Sequence, residues 1–248
     1  MRIVTWNVLH RIHAENWREA VPDRFPDEAA RNARITARVR AFVDDDTVVC
    51  LQEVSGDQLA SVRAALPADR VHAFQLPRVP RPKSGASPLV DATEHLVIVA
   101  PRGRWIDARV SADDPGKGVI VVDVDVGVDG ATRVVRVANT HLTFGDRRTA
   151  QLAMIAQLVD GAALAVVCGD CNCGVDDVVA ALPGFRAAPF AADALPTRPR
   201  AEGYDGKPKA IDHIVVRGVD VGAAVVVDVD GESDHNVVVA HVGGVAGG

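Results

Sequence analysis

Six short apolar runs in this chain each carry a carboxylate, amide or imidazole at one end. Ile3-Val4-Thr5-Trp6 leads into Asn7, and Val48-Val49-Cys50-Leu51 leads into Gln52-Glu53. Val135 to Ala138 leads into Asn139-Thr140-His141, and Val166-Val167-Cys168-Gly169 into Asp170-Cys171-Asn172. Asp212 stands at the start of His213-Ile214-Val215-Val216, and Ser233-Asp234-His235 precedes Asn236-Val237-Val238-Val239. A charged or amide group at the end of a buried run is costly to desolvate unless something binds it. The recurrence therefore implies one polar site at one rim of a sheet core. Carboxylates, amides and imidazoles gathered there suit an oxygen-seeking divalent cation together with proton transfer.

The elements that position these groups follow from local pattern. Runs of four to eight β-branched residues read as buried strands. Further strands are expected near 71–76, 95–101, 104–110, 118–126 and 219–228. Residues 27–43 read as a helix, with Ile35, Val39 and Phe42 on one side and Arg31, Arg34, Arg38 and Arg40 among the polar positions. Ser55 is placed to cap a helix running to about Leu66. Residues 146–160 form a third helix, and residues 8–26 read as a polar connector. Helices between groups of strands, with most strands apolar on one face only in part, fit an α/β fold; periodicity alone does not choose among α/β architectures.

The motifs, taken in order, make that choice. Trp6-Asn7, Leu51-Gln52-Glu53, Thr140-His141-Leu142, Gly169-Asp170-Cys171-Asn172, Ile211-Asp212-His213-Ile214 and Ser233-Asp234-His235 resemble the endonuclease/exonuclease/phosphatase superfamily. These are the pancreatic-deoxyribonuclease-like metal phosphoesterases, and the resemblance spans Met1 to about His241. It implies a four-layer α/β sandwich, in which two packed mixed sheets are flanked by helices. It implies a hydrolase that cleaves a phosphodiester or phosphomonoester by attack of an activated water, with Mg²⁺ as cofactor and Mn²⁺ as a substitute. By the same resemblance Asn7, Glu53 and Asp234 face the metal, Asp170 orients or activates the water, and Asn172 steadies the transition state. His235 is the general base, oriented by Asp212. His141 matches an imidazole that contacts the phosphate or leaving oxygen in the deoxyribonuclease-like and sphingomyelinase-like branches; branches that repair abasic DNA place a tyrosine there. Glu94, at the start of its strand, is the carboxylate expected beside His141, or else a surface charge. Arg148 and Gln151 resemble an R-x-x-Q that follows the T-H-L strand, and fit an ordinary helix surface equally well.

Bulk properties bound the rest. The chain has 248 residues, 48% of them hydrophobic, and its motifs run from residue 7 to residue 235. One domain over residues 1–242 is expected, with a flexible Gly-rich tail at 243–248. A net charge of −6 weighs against tight binding to long nucleic acid, whose affinity comes mainly from phosphate contacts. A small phosphorylated substrate is therefore expected first, and a DNA or RNA nuclease using the same residues second. Two proline-rich stretches carry local positive charge: 77–88 with Arg78, Arg81 and Lys83, and 196–210 with Arg198, Arg200, Lys207 and Lys209. They are either a basic rim, with Arg198 and Arg200 contacting substrate, or solvated loops. Trp17 and Tyr204 could stack on a ring or simply pack. A binding protein that had kept the fold and lost the chemistry would be expected to lack one of Glu53, Asp170, Asn172, Asp212 or His235, and all five are present.

The chain opens on a strand and has no apolar run of membrane-spanning length. A cytoplasmic monomer is expected. Cys168, Cys171 and Cys173 invite a zinc reading, but only Cys50 remains as a fourth thiolate, so the cysteines read as small core residues. His10, His13, His72, His213 and His241 have no motif partner and read as structural or surface groups.

Overall fold

The structure, a computed structural model, describes residues 1–128, 131–199 and 209–245. The first sheet holds β1 (Arg2–Asn7), β2 (Thr47–Ser55), β3 (Val71–Gln75), β4 (Glu94–Val99), β11 (Val219–Val221), β12 (Val225–Val227) and β13 (Val237–Val245). Its order is β11-β13-β1-β2-β4-β3, with β12 also pairing with β13. The second sheet holds β5 (Gly103–Ser111), β6 (Asp114–Val128), β7 (Ala131–His141), β8 (Ala165–Asp170), β9 (Arg186–Ala187) and β10 (Asp212–Arg217), in the order β5-β6-β7-β8-β10-β9. Pairs β1–β2 and β7–β8 are parallel and the others antiparallel, so both sheets are mixed.

Strand alternation builds the layers. Ile3, Val48, Cys50, Ile98, Ile120, Val137, Val166, Cys168 and Ile214 meet between the sheets. Their neighbours Val4, Val49, Leu51 and Val97 face outward, onto Ile35 and Val39 of α3 (Glu28–Phe42) and Leu59 and Val62 of α4 (Gly56–Ala65). On the other side Val119, Val121, Ala138, Val167 and Val215 meet Leu152 and Ile155 of α5 (Arg147–Val159) and Val178 of α6 (Val175–Ala181). Strands buried on both faces read as continuous apolar runs. The result is the four-layer α/β sandwich expected from the motifs.

Local signals placed α3 and α4 well. Asp27 Oδ1 accepts from the Ala30 amide at 3.1 Å, and Ser55 Oγ from the Gln58 amide at 3.1 Å. Four details differ from the sequence reading. The connector 8–26 contains α1 (Arg11–Trp17) and α2 (Val21–Arg24); α1 starts at His10, whose ring nitrogen accepts from the Ile12 amide at 3.2 Å. The α6 turn was too short to show a period. The single strand expected over 219–228 is two, β11 and β12. Finally, β13 runs to Val245, into the expected tail, because it pairs there with β11.

The cysteines divide between two layers. Cys50 and Cys168 lie between the sheets, while Cys171 and Cys173 lie beneath the α5–α6 layer. All four are free and buried. Cys50 and Cys168 thus hold the inward strand positions expected of them.

Two features fix the strand ends. Gly169 has φ 141°, and a Cβ there would overlap the Thr140 carbonyl oxygen of the parallel neighbour β7. Only glycine fits before Asp170. The second feature crosses the sheets. Gln52 Nε2 donates to Asn139 Oδ1 at 2.7 Å, and Asn139 Nδ2 donates to the Leu51 and Val97 carbonyls at 2.9 Å each. Both side chains are fully buried. Asn139→Leu would take the side-chain donor from these two carbonyls, at about 1–3 kcal/mol per buried group, and would remove the cross-sheet partner of Gln52, whose Nε2 keeps Thr5 Oγ1 at 3.0 Å and the Cys50 carbonyl at 3.3 Å. We expect a loss of roughly 3–5 kcal/mol, read by urea denaturation; a loss under about 1 kcal/mol would show that the cross-sheet bonds do not hold the sheets together.

Candidate active site

The ends of β1, β2, β7, β8 and β10 meet at one edge of the sandwich. Asn7 pairs with Gln52 across β1–β2, His141 with Asp170 across β7–β8, and Asp212 with Asp170 across β8–β10. The register between β2 and β4 shifts between Leu51 and Val54, and Glu53 at that bulge takes φ 57°. Asn172 takes φ 50° just after β8. Left-handed backbone at a non-glycine residue costs on the order of 1–3 kcal/mol, and here it re-aims two side chains toward the cleft.

Asn7 braces the floor. Its Nδ2 donates to Glu53 Oε1 at 3.2 Å and to Asp170 Oδ2 at 3.0 Å. Its Oδ1 is committed to the Leu9 amide at 3.0 Å. Asn7 thus holds two carboxylates in place.

On one side of Asn7 stands an imidazole–carboxylate pair. His235 Nδ1 meets Asp212 Oδ2 at 2.8 Å, and its Nε2 lies 3.7 Å from Asp170 Oδ2 and 3.9 Å from Asp234 Oδ2. Backbone bonds anchor the pair. Ser233 Oγ donates to the Asn7 carbonyl at 2.7 Å and accepts from the His235 amide at 3.1 Å, while Trp6 Nε1 donates to the His235 carbonyl at 3.0 Å. Thr197 Oγ1 accepts from the Ile211 and Asp212 amides.

On the other side of Asn7 is a second pair, which the sequence reading did not find. His13 Nε2 meets Glu94 Oε2 at 3.1 Å. Glu94 was expected beside His141, but α1 brings His13 over the start of β4 instead. His141 Nε2 faces the Lys117 ammonium, Asp170 at 3.4 Å and Glu53 at 3.8 Å, and its Nδ1 is buried without a partner among the described residues. Lys117 sits on β6 beside the end of β7 and carried no motif in sequence.

The charges shape one another. Burial alone would raise the Glu53 carboxyl, but His13, His141 and Lys117 hold it below its ordinary range. Burial pushes Asp170 up to about 6, with the Asp212 charge adding to the effect and His235 opposing it. Burial disfavours a charged His235, yet Asp212, Asp234 and Asp170 together raise it to about 10. Burial and Lys117 lower His141 well below the usual imidazole range. For His13, burial is outweighed by Glu53 and Glu94, and the ring is raised.

A cleft of about 430 Å³ opens over these groups. Glu53, His141, Asp170, Asn172, Asp234, His235 and Arg198 line it directly, with His13 and Lys117; Asn7, Glu94 and Asp212 stand behind. Arg198 bonds Asp234 Oδ2 at 2.9 Å and Glu19 Oε1 at 3.1 Å. Arg200, Tyr204 and Lys207 lie outside the described residues. Of the basic stretch 77–88, Arg78 and Lys83 reach the cleft. Lys83 Nζ stands 4.6 Å above the Trp17 ring, and Asn16 bonds both Arg81 and Lys83, pinning the stretch to α1. Trp17 is 60% exposed. Gln151 and Arg148 are not idle surface: Gln151 Oε1 accepts from the Thr143 amide at 2.8 Å, and Arg148 donates to the Asn172 carbonyl at 3.2 Å. Arg31, read from sequence as a polar surface position, is buried and donates to the carbonyls of Val8, Leu9 and Glu232.

The donor set suits a hard divalent cation. Glu53, Asp170 and Asp234 offer carboxylate oxygens to one cleft, and Asp234 Oδ1 is buried without a partner among the described residues. Asp170, Asp212 and His235 bring ligand atoms within 4.8 Å of one another. The Asp212–His235 hydrogen bond already joins two of those three side chains through Oδ2 and Nδ1.

Known proteins share this fold. The model of the Endonuclease/Exonuclease/phosphatase family matches residues 4–235. Curated protein sequences give no match. An endonuclease/exonuclease/phosphatase from Beutenbergia cavernae is 24% identical, with a TM-score of 0.69 over 99% of this chain and 72% of that one. ANGEL2, a 2′,3′-cyclic phosphatase in complex with adenosine-2′,3′-vanadate, is 15% identical, with a TM-score of 0.67 over 96% of this chain and 94% of that one. D. rerio TDP2, complexed with single strand DNA product, is 16% identical, with a TM-score of 0.64 over 97% of each chain.

The charge pattern sets a pH response for the metal-free protein. Because the folded value of His235, about 10, exceeds the ordinary 6.5, its pairing stabilises fully below about pH 6.5 and is lost as pH rises through 10. Asp170 has the opposite effect on stability: raised from 3.8 to about 6, it costs stability as pH climbs through that window. Nuclear magnetic resonance titration should find the His235 ring charged at neutral pH and Asp212→Asn shifting its titration toward neutrality. A ring already neutral at pH 7 in the metal-free protein would contradict this account.

Proposed function

The chain belongs to the endonuclease/exonuclease/phosphatase family, and from that premise we propose that it hydrolyses a phosphate ester by attack of an activated water. The observation that carries this is the line Asp212–His235–Asp170, set beside the Asn7-braced Glu53 on the floor of one cleft.

A divalent ion, Mg²⁺ with Mn²⁺ as a substitute, held by Glu53 and Asp234 and adjoining Asn7, would neutralise charge on the phosphoryl oxygens. The protein's own groups do the rest. Asp170 and His235 Nε2 face the same point and orient the water between them. His235 is the proton acceptor once the negative charge of Asp170 and Asp234 is offset; Asp212 keeps its ring in place through Nδ1. Asn172 is tied to Asp170 Oδ1 through its backbone amide at 3.0 Å and to the Leu142 carbonyl through Nδ2 at 2.8 Å. Its second amide hydrogen is directed to the transition state. Lys117 and Arg198 supply positive charge for a phosphate approaching from the cleft.

The substrate we favour is a small phosphorylated molecule. A cleft of about 430 Å³ matches ligand pockets of that class, and the net charge of −6 disfavours long polyanions. A nuclease is the second reading, favoured by the Arg78–Lys83 rim and by the DNA product carried by the fold relative TDP2. The expected setting is the cytoplasm, with the chain acting as a monomer.

The test is hydrolysis of bis-nitrophenyl phosphate, nitrophenyl phosphate, plasmid DNA, RNA and a phospholipid with Mg²⁺, Mn²⁺ or EDTA. We expect metal-dependent turnover that falls by about 10³-fold or more in the Asp170→Asn/His235→Ala variant. The preferred member separates the two readings, and a steep decline with salt would mark the nuclease. Metal-independent turnover, or turnover that survives both substitutions, would overturn the mechanism.

A further inference from the structure

An in-line displacement at phosphorus needs a base on the side of the attacking water and an acid on the side of the departing oxygen. The structure has two carboxylate–imidazole pairs, and the strand order separates them. His235 lies just before β13, and Glu94 opens β4; β1 and β2, which carry Asn7 and Glu53, run between those strands. The two pairs therefore flank the braced carboxylates from opposite sides. His235 and His13 both line the cleft.

The second pair is built as a site. Glu94 is completely buried, its Oε2 holds His13 Nε2 at 3.1 Å, and its Oε1 has no partner among the described residues. A buried carboxylate is costly unless it serves its neighbour. With Nε2 engaged, Nδ1 is the ring nitrogen of His13 left to meet a ligand. His13 itself is partly open, with 19% of its side chain exposed. α1 aims it: His10 caps that helix and bonds the Ala92 carbonyl at 3.2 Å, just upstream of Glu94, and the His10 and His13 ring centroids lie 5.3 Å apart.

His141 is less suited to the acid's task. Its side chain is only 2% exposed, no carboxylate among the described residues bonds its Nδ1, and its Nε2 points into the Lys117–Glu53–Asp170 group.

We propose that His13, positioned by Glu94, is the catalytic acid that protonates the leaving oxygen. This rests on the phosphoesterase reading above and deepens it. In the step, the water oxygen forms the new bond to phosphorus as the bond to the leaving oxygen breaks. The water's proton passes to His235 Nε2, and the proton on His13 Nδ1 passes to the departing oxygen. Exchange with solvent then resets both rings, so no oxidant or co-reactant is needed. The assignment implies a substrate with a strongly basic leaving group, such as a sugar or alkyl hydroxyl, because a weakly basic one departs without a proton.

The leaving group therefore provides the test. Wild type, His13→Gln and Glu94→Gln are assayed with Mg²⁺ on two diesters, bis-nitrophenyl phosphate and a dinucleotide. Nitrophenolate is weakly basic and leaves unaided, whereas the ribose alkoxide needs a proton. For His13→Gln we expect the ratio of kcat/KM values, dinucleotide to nitrophenyl ester, to fall by about 10²-fold, the scale of general acid catalysis. Glu94→Gln should shift the ratio in the same direction by about tenfold, since it acts through His13. Turnover of the nitrophenyl ester in each variant also reports a folded site. An equal loss on both esters, or an unchanged ratio, would overturn the acid assignment and leave the phosphoesterase reading standing. If wild type cleaves neither diester with any metal, that reading falls and this proposal falls with it.

Discussion

The bond between Gln52 and Asn139 is the contact on which the site depends. Most of the core between the sheets is valine, alanine and isoleucine, which pack well but specify offset weakly, because apolar attraction has no direction. A fully buried amide pair does have direction. Asn139 reaches from β7 into the carbonyls of Leu51 on β2 and Val97 on β4, next to the bulge where their register shifts. Sliding one sheet by a residue would strand the Asn139 amide away from its partners without water. The pair thereby fixes Glu53, which follows Gln52 directly, against His141, two residues beyond Asn139.

That constraint makes possible a crowd of like charges. Glu53, Asp170, Asp212 and Asp234 stand at one edge, each held by a donor: Asn7, His235, Arg198 or a backbone amide. Some of this order comes from outside the cleft. Arg31, bonded to Glu28, reaches the carbonyls of Val8, Leu9 and Glu232, and so ties the segment after Asn7 to the segment before Ser233. Preorganisation of this kind is what electrostatic catalysis requires, since charges already aimed need no rearrangement during reaction.

The rim is assembled differently from the floor. It is made of α1 and the 77–88 stretch, which are joined through Asn16 and the Lys83–Trp17 contact. Arg78 links this rim to the second sheet through Asp114, and Asp114 in turn accepts from Thr143. Floor residues sit on strand ends fixed by two sheets, whereas rim residues sit on loops and a short helix. Such a division lets the reach of the cleft vary while the floor is kept.

The sequence by itself determined the layers and the floor. Val48 to Glu53 and Val166 to Asp170 are strands because β-branched runs buried on both faces permit little else, and a polar group at their ends must find a common partner. Ser55 announced its helix through a local hydrogen bond that needs no tertiary partner, and Ile35, Val39 and Phe42 announced theirs by helical spacing. The tertiary structure alone decided what depended on distant neighbours. Lys117 is one lysine without a motif until β6 sets it beside His141. His13 is one imidazole in a polar connector until α1 folds it over Glu94, which lies 81 residues away. Arg31 has the helical spacing of a surface residue and is buried by two carbonyl-bearing segments from opposite ends of the chain. Periodicity and capping record what a residue does with its near neighbours. A partner across two sheets leaves no mark at that range, and only packing brings such pairs together.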